Sequence, residues 1–328
     1  MAAKQIFFTV VIPTRNRPEL FKLALDSVLN QSFQDFEVVI VNDGTDPEFM
    51  EAYKALEESY CGRYDNLDFR YQIKRPNGHG QSYSMNTGAY VGMGQYVCFL
   101  DDDDFWIDAN HLENAHASIV NSTSIVDCFY TNQDAYFSDG SKQENNVWIE
   151  DLVPMLTNSD ADPYGAYSVS QEFLLKSAGF AHLNCSIVRR ELYLSIKGMD
   201  ENIRYECDRD IYIRTIDAAE TILYNPNVIA KHHIPDSKKA DNMSTLVSSL
   251  EKKLYQIVVY EKGLMFAKHD YIRLLCQRGL SDIFKFITTE YVSQKNYSQA
   301  HIYAVKALGL RFSLKWWLYT KLLCLKAL

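Results

Sequence analysis

Short apolar runs alternate with helical patterns through the first hundred positions of the chain. "IFFTVVIP" reads as a strand, and "RPELFKLALDSVLNQ" as a helix with Asn16 as N-cap and Pro18 in its first turn. "FEVVIVND" predicts a second strand, "DPEFMEAYKALEESY" a second helix opened by Asp and Pro, and "LDFRYQ" a third strand. "GQSYSMNTGAYV" predicts a third helix and "QYVCFL" a fourth strand. Strands that are apolar along nearly their whole length and joined by helices imply a parallel sheet covered on both faces. Further on, "IVDCFYTNQDAYF" predicts another strand, while residues 138–165 are polar without a clear period. "LNCSIVRRELYLSIKGMDE" reads as a strand, a short helix and a glycine turn, and "CDRDIYIRTIDAAE" as a helix. "TILYNPNVIAKHH" is a strand pair or one bent strand. From about Ser244 the pattern is helical, with "NYSQAHIYAVKALGL" and "SLKWWLYTKLLCLKAL" as a closing pair.

With 328 residues, 47% of them apolar, there is room for one large α/β domain and an extension. The seven cysteines are scattered without a CxxC pair, which argues for reduced thiols and against a disulfide framework or zinc site. No uninterrupted apolar run is long enough to span a bilayer. The first apolar run is short and broken by Pro13, unlike a signal peptide. A cytoplasmic setting is the expectation. Charge adds more. Residues Leu246 to Leu328 carry 13 Lys/Arg against 5 Asp/Glu, or +8, so a net −9 leaves −17 on the residues before them. A basic terminal region faces something anionic, such as phospholipid, or is an ordinary solvated helical surface. The acidic body disfavours nucleic acid.

The densest chemistry lies in "YVCFLDDDDFWID". Capping a helix takes one or two Asp, whereas four in a row repel each other unless a cation or hydrogen-bond donors offset them. A divalent metal with an anionic ligand is one reading of Asp101 to Asp104, and a solvated turn is the other. Ligands of open parallel sheets bind beyond the carboxyl ends of the strands, where these aspartates and Asp43 all fall.

The succession "VVIPTRNR", "VIVNDG", "RPNGHGQSYSMNTGA" and "GQYVCFLDDDD", followed by "GMDENIRYECDRDIYIR", resembles the family 2 glycosyltransferases. These are inverting enzymes of the GT-A fold that use nucleotide-sugar donors, and the resemblance covers residues 6 to 245. It implies that Thr14, Asn16 and Asp43 hold the nucleotide. Asp43 suits the N–H of a uracil and a ribose hydroxyl, although Asp before Gly44 also suits a plain turn. Asn77, Gly78 and Gly80 form a loop whose small residues let backbone approach the ligand. Asn86 matches a family Asn, but the Arg often found before it is Met85 here, leaving Arg75 as a substitute cation. By the same match Asp101 and Asp102 face ribose and sugar while Asp103 coordinates Mn2+ or Mg2+, hard cations that combine few carboxylates with phosphate oxygens and water. Asp208 falls at the general-base position, with Asp210 two residues on. The family's Glu is replaced by Cys207 with Glu206 before it, so the base lies among these three acids, and helix capping is the plainer role for Asp208. His233, in preference to His232, completes the metal shell or is a lone surface histidine. "HLNCSIVRRE" puts Asn184 and Ser186 on the acceptor side, or in a plain core strand.

The expectation is therefore an α/β protein of GT-A fold, Rossmann-like with a mostly parallel sheet, over residues 1–245, and a helical extension over 246–328. Its expected activity is metal-dependent inverting transfer from a UDP-sugar to a hydroxyl of a glycan or glycolipid in bacterial surface polysaccharide synthesis. The Gln-x-x-Arg-Trp element of processive membrane synthases is absent, which points to the addition of one or a few residues. Arg311, Lys315, Lys321 and Lys326 share one side of the last helix among Leu and Trp residues, which suits peripheral contact with the inner face of an anionic membrane or a packed helix. The alternatives are a sugar-nucleotidyltransferase, disfavoured because "PTRNRPE" is not a glycine-rich phosphate loop, and a non-catalytic glycan- or partner-binding homologue.

Overall fold

The computed structural model describes residues 6–144, 148–156, 160–234 and 247–328. It divides into two compact units, Met1–Leu246 and Val247–Leu328. The boundary expected at residues 245–246 lies outside the described residues.

The first unit opens with β1 (Phe8–Thr14), α1 (Pro18–Leu29), β2 (Phe36–Asn42), α2 (Pro47–Cys61), β3 (Leu67–Tyr71), α3 (Gln81–Val91) and β4 (Tyr96–Phe99). These match the elements read from the sequence to within a residue or two. All seven residues of β1 are buried, because β2 and β4 flank it in parallel and helices cover its faces. Helix α1 presents Phe21, Ala24, Leu25 and Val28 to the sheet, a spacing that lines one helical face. Burying Phe21, Leu25 or Val28 is worth roughly 1.5–3 kcal/mol each relative to exposure.

There follow β5 (Phe105–Trp106), α4 (His111–Val120), β6 (Cys128–Tyr136), β7 (Tyr167–Val169), α5 (Gln171–Leu174), β8 (Ser186–Arg189), α6 (Arg190–Ser195), α7 (Cys207–Ala218) and β9 (Ile222–His233). The strand order is β3-β2-β1-β4-β8-β6-β9-β5, with β7 also on β9. The first four strands in that order are mutually parallel, and β8 lies antiparallel between β4 and β6. From β1 the chain goes to β2 on one side and later to β4 on the other. The carboxyl ends of β1 and β4 therefore flank a switch point, the place where such sheets open a crevice.

One expectation changes, and one open alternative is decided. Helix α1 is capped by Arg17 rather than Asn16, which stands outside the helix at φ 58°. The segment from Ile222 is one long strand, bent by register shifts opposite Tyr130–Gln133. Strand β5 pairs with Ala230–Lys231 of β9, which brings the aspartate turn beside the end of that strand.

The second unit is helical: α8 (Ser249–Phe266), α9 (Asp270–Ser293), α10 (Tyr297–Leu310) and α11 (Leu314–Ala327). Ser248 and Glu251 form a capping box at its start. Ala300 and Ala304 of α10 pack with Leu323 of α11, and the Trp316 indole N–H donates to the Ala304 carbonyl at 3.0 Å. Among the described residues no helix is long and apolar enough to cross a membrane.

Candidate functional site

The aspartate turn is held from four sides. The Thr14 hydroxyl, at the end of β1, donates to Asp102 Oδ2 at 2.7 Å and shares a hydrogen bond with the Tyr53 hydroxyl at 2.6 Å. The Arg17 guanidinium spans two neighbours, bonding Asp102 Oδ1 and donating to Asp103 Oδ2 at 2.7 Å. Asn184, just before β8, accepts the Asp101 amide at 3.0 Å and donates to Asp104 Oδ2 at 2.6 Å and Gln133 Oε1 at 3.1 Å. From β9, His232 Nδ1 lies 2.7 Å from Asp104 Oδ2, and the His233 amide donates to Oδ1 at 2.8 Å. Gln81, in the first turn of α3, donates to Asp101 Oδ1 at 2.6 Å.

Charge is left over. Burial holds Asp101 well above the usual carboxylate range, reinforced by Asp103, Asp104 and Asp208. Burial also raises Asp102, to about 7, against the pull of Arg17. Burial opposes ionisation of Asp104, yet the adjacent His232 outweighs it and holds the carboxyl low. The same pairing raises His232 in spite of its burial. Asp208, the second residue of α7, is pushed up to about 6 by burial and then by Glu206. Arg17 and His232 thus face five carboxylates, an imbalance that a bound cation would relieve.

Asp101, Asp104 and His182 each offer a ligand atom within 4.8 Å of the others. The chemistry of the three differs. Both oxygens of Asp104 already accept hydrogen bonds. His182 Nδ1 accepts the Asn184 amide at 3.3 Å, so a neutral ring carries its proton on Nε2 and has no lone pair there for a metal. Asp101 Oδ2 and Asp103 Oδ1 accept no hydrogen bond among the described residues. That donor set is all oxygen and fits a hard divalent ion.

The other residues singled out from sequence fall as follows. Asp43 accepts the amides of His79 at 2.7 Å and Gly80 at 2.9 Å, so it shapes the loop after β3. Asn77 is exposed on that loop. Asn16 is spent on the turn before α2, bonding Thr45 and Asp46 through both ends of its amide. Asn86 ties α3 to Met199 and Tyr193, and Ser186 bonds the His182 carbonyl. Asp210 is 2% exposed and paired with Arg214 at 2.7 Å, and Glu206 is paired with Arg209 at 2.6 Å. Asp208 alone of these acids approaches the aspartate turn: His182 Nε2 lies 3.7 Å from its Oδ2 and 3.9 Å from Asp101 Oδ2. The His233 ring is half-exposed, bonded to the Asp103 carbonyl at 2.5 Å and set against Phe105, while His232 is the histidine turned to the carboxylates.

Among the residues that sequence reasoning missed, Arg17 and Gln81 hold the aspartate turn, and two more stand out. His182 carried no motif of its own. Arg204 is one of two cations the structure sets against the loop, with its Nη1 2.3 Å from where a Cβ on Gly80 would stand, and Arg15 is the other, bonded to the Pro76 carbonyl at 3.0 Å. Arg75 is exposed, and its carbonyl accepts Arg15 Nη2 at 3.2 Å.

The model of "Glycosyl transferase family 2" matches residues 9–195, more than half of the chain. The chain belongs to glycosyl transferase family 2. This glycosyltransferase is 26% identical over 231 residues to the amylovoran biosynthesis glycosyltransferase AmsB of Erwinia amylovora, across 70% of this chain and 71% of that one. It is 27% identical over 227 residues to the succinoglycan biosynthesis protein ExoW of Rhizobium meliloti, across 66% and 61% of the two chains. Residues 1–349 of S. aureus TarS, in complex with UDP-GlcNAc, share its fold with a TM-score of 0.70 at 17% identity, over 98% of this chain and 88% of that one. The mannosyltransferase PcManGT of Pyrobaculum calidifontis, in complex with GDP-Man and Mn2+, does so with a TM-score of 0.56 at 16% identity, over 98% and 85%. The fold of this family 2 glycosyltransferase is GT-A, with C-terminal helices. The family match ends before α7 and does not reach Asp208.

Proposed function

We propose that this glycosyltransferase is a metal-dependent inverting enzyme that moves a sugar from a UDP-sugar to a hydroxyl of a glycan or glycolipid in polysaccharide biosynthesis. One observation carries the reading: Asp208 and Asp101 both lie within 4 Å of the same imidazole nitrogen, so an acid on α7 stands beside the aspartate turn. The names of AmsB and ExoW support polysaccharide synthesis as the setting, and the ligand of TarS supports UDP as the carrier. The Mn2+ of PcManGT supports a divalent ion, which Asp101 and Asp103 would hold here. When bound, that ion neutralises charge on the departing diphosphate.

The remaining chemistry belongs to the chain itself. Asp208 is ionised at neutral pH and takes the proton of the acceptor hydroxyl as its oxygen attacks the anomeric carbon. The bond from that carbon to the diphosphate breaks on the opposite face, its electron pair leaves with the nucleotide, and configuration inverts. Arg204 stands beside Gly80 at the N-terminus of α3, where a guanidinium and a helix terminus together favour phosphate. Asp43 keeps lone pairs for a base or ribose beyond the two amides it accepts. We assign the basic terminal unit to an anionic membrane surface, where a lipid-linked acceptor would be met.

Calorimetric titration of UDP, GDP and CMP, with and without Mn2+, tests the donor site. UDP binding that needs both the metal and Asp103, and so fails in Asp103→Ala, is the expected result. No binding of any nucleotide under any metal overturns the reading.

A further inference from the structure

We propose that His182 positions the base: its Nε2–H donates to Asp208 Oδ2 and leaves Oδ1 turned to the acceptor hydroxyl. The inference rests on Asp208 being that base. The ring is 7% exposed and wedged against Trp148, with centroids 5.8 Å apart, and against His232 at 5.1 Å. It has little freedom to rotate. The Asn184 amide donates to Nδ1, which assigns the single proton of the neutral ring to Nε2.

That N–H makes no bond shorter than 3.5 Å among the described residues, yet two carboxylates stand just beyond, at 3.7 Å (Asp208) and 3.9 Å (Asp101). Asp101 already accepts Gln81 and lies on the donor side of the site. Among the described residues Asp208 has only the weak Cys207 thiol at 3.8 Å on its other oxygen, so it is the carboxylate with most to gain. Catalytic hydrogen bonds of this kind are often long in ligand-free structures and tighten in the reactive complex. Asn184 links the two roles, because the same residue clamps the aspartate turn through Asp101 and Asp104.

The test follows UDP release from UDP-GlcNAc and other UDP-hexoses with Mn2+, using water as acceptor. His182→Leu keeps the volume and removes the donor, whereas His182→Gln restores an N–H near the position of Nε2. The Leu variant is expected to lose about 10- to 100-fold in kcat, the worth of one hydrogen bond to a charged group, with KM and UDP affinity unchanged. The Gln variant is expected to recover most of it. In the 15N spectrum of the imidazoles, the His182 ring should show the Nε2–H tautomer, with a signal that moves in Asp208→Asn. An Nδ1–H tautomer, a Gln variant as slow as Leu, or an unchanged kcat in Leu overturns the inference. If the wild type releases no UDP from any of these donors while the His182 signal still responds to Asp208→Asn, the pairing stands and the UDP-sugar reading falls.

Discussion

Three acids crowd the start of α7, and their partners separate their roles. Glu206 and Asp210 are held by arginines three and four residues on, while Asp208 faces the aspartate turn. Asp208→Asn should lower transfer by about 10²- to 10⁴-fold, the usual worth of a general base, with UDP affinity intact by calorimetry. Asp210→Asn should instead cost stability, because it strands a largely buried guanidinium. A loss of about 3–5 kcal/mol in urea unfolding is expected, and an Asp210 variant that unfolds like the wild type would refute the structural role. Burial and Glu206 raise Asp208 to about 6, and the base works only when ionised. The rate kcat/KM should therefore be flat above that pH and fall tenfold per unit below it. An acid limb near 4 would show that burial does not shift the group. The acids themselves were legible in the sequence as a run of unusual charge. Which oxygen is free was not, because it depends on partners such as Arg17, Asn184 and Arg214 that lie far along the chain or share its type with many others. The histidines make the same point: alternation along a strand puts His232 and His233 on opposite faces, but the irregular register of β9 against β6 decides which face is inward.

At the scale of elements, the parallel half of the sheet was readable because its strands are buried on both sides and so run apolar without interruption. The two- and three-residue strands β5 and β7 are too short to show a period, and Asn16 looked like a helix cap because its bonds to Thr45 and Asp46 cross between two turns. The loop between β3 and α3 gives a prediction at this scale. Gly80 has φ 106°, and a Cβ there would stand 2.3 Å from Arg204 Nη1. Gly80→Ala should therefore both strain the helix start and push Arg204 away from it. Calorimetry is expected to show UDP affinity falling by about tenfold, in line with one charged hydrogen bond. Arg204→Ala should do the same, and the double variant should cost little more than either, since both act through one contact. Fully additive losses would separate the two residues.

The whole chain is polarised in charge, and the second unit carries its excess of Lys and Arg into a particular surface. Helix α11 uses Thr320, Leu323 and Trp316 to pack on α10, which leaves Leu314, Leu318, Leu322 and Leu325 exposed beside Lys315, Lys321 and Lys326. The sequence showed a basic side with apolar residues but not which apolar residues would be consumed by packing. An exposed face that mixes leucine with lysine is suited to the boundary of an anionic bilayer, where each cation contributes about 1 kcal/mol and the attraction is screened by salt. The full chain should co-sediment with vesicles containing phosphatidylglycerol at low salt and be released as salt rises. Replacing Lys315, Lys321 and Lys326 with Glu should abolish that binding and leave UDP affinity unchanged, because the residues proposed to hold the donor all belong to the first unit. Equal binding to neutral and anionic vesicles, or none to either, would remove the membrane from the account and leave the exposed leucines to a protein partner.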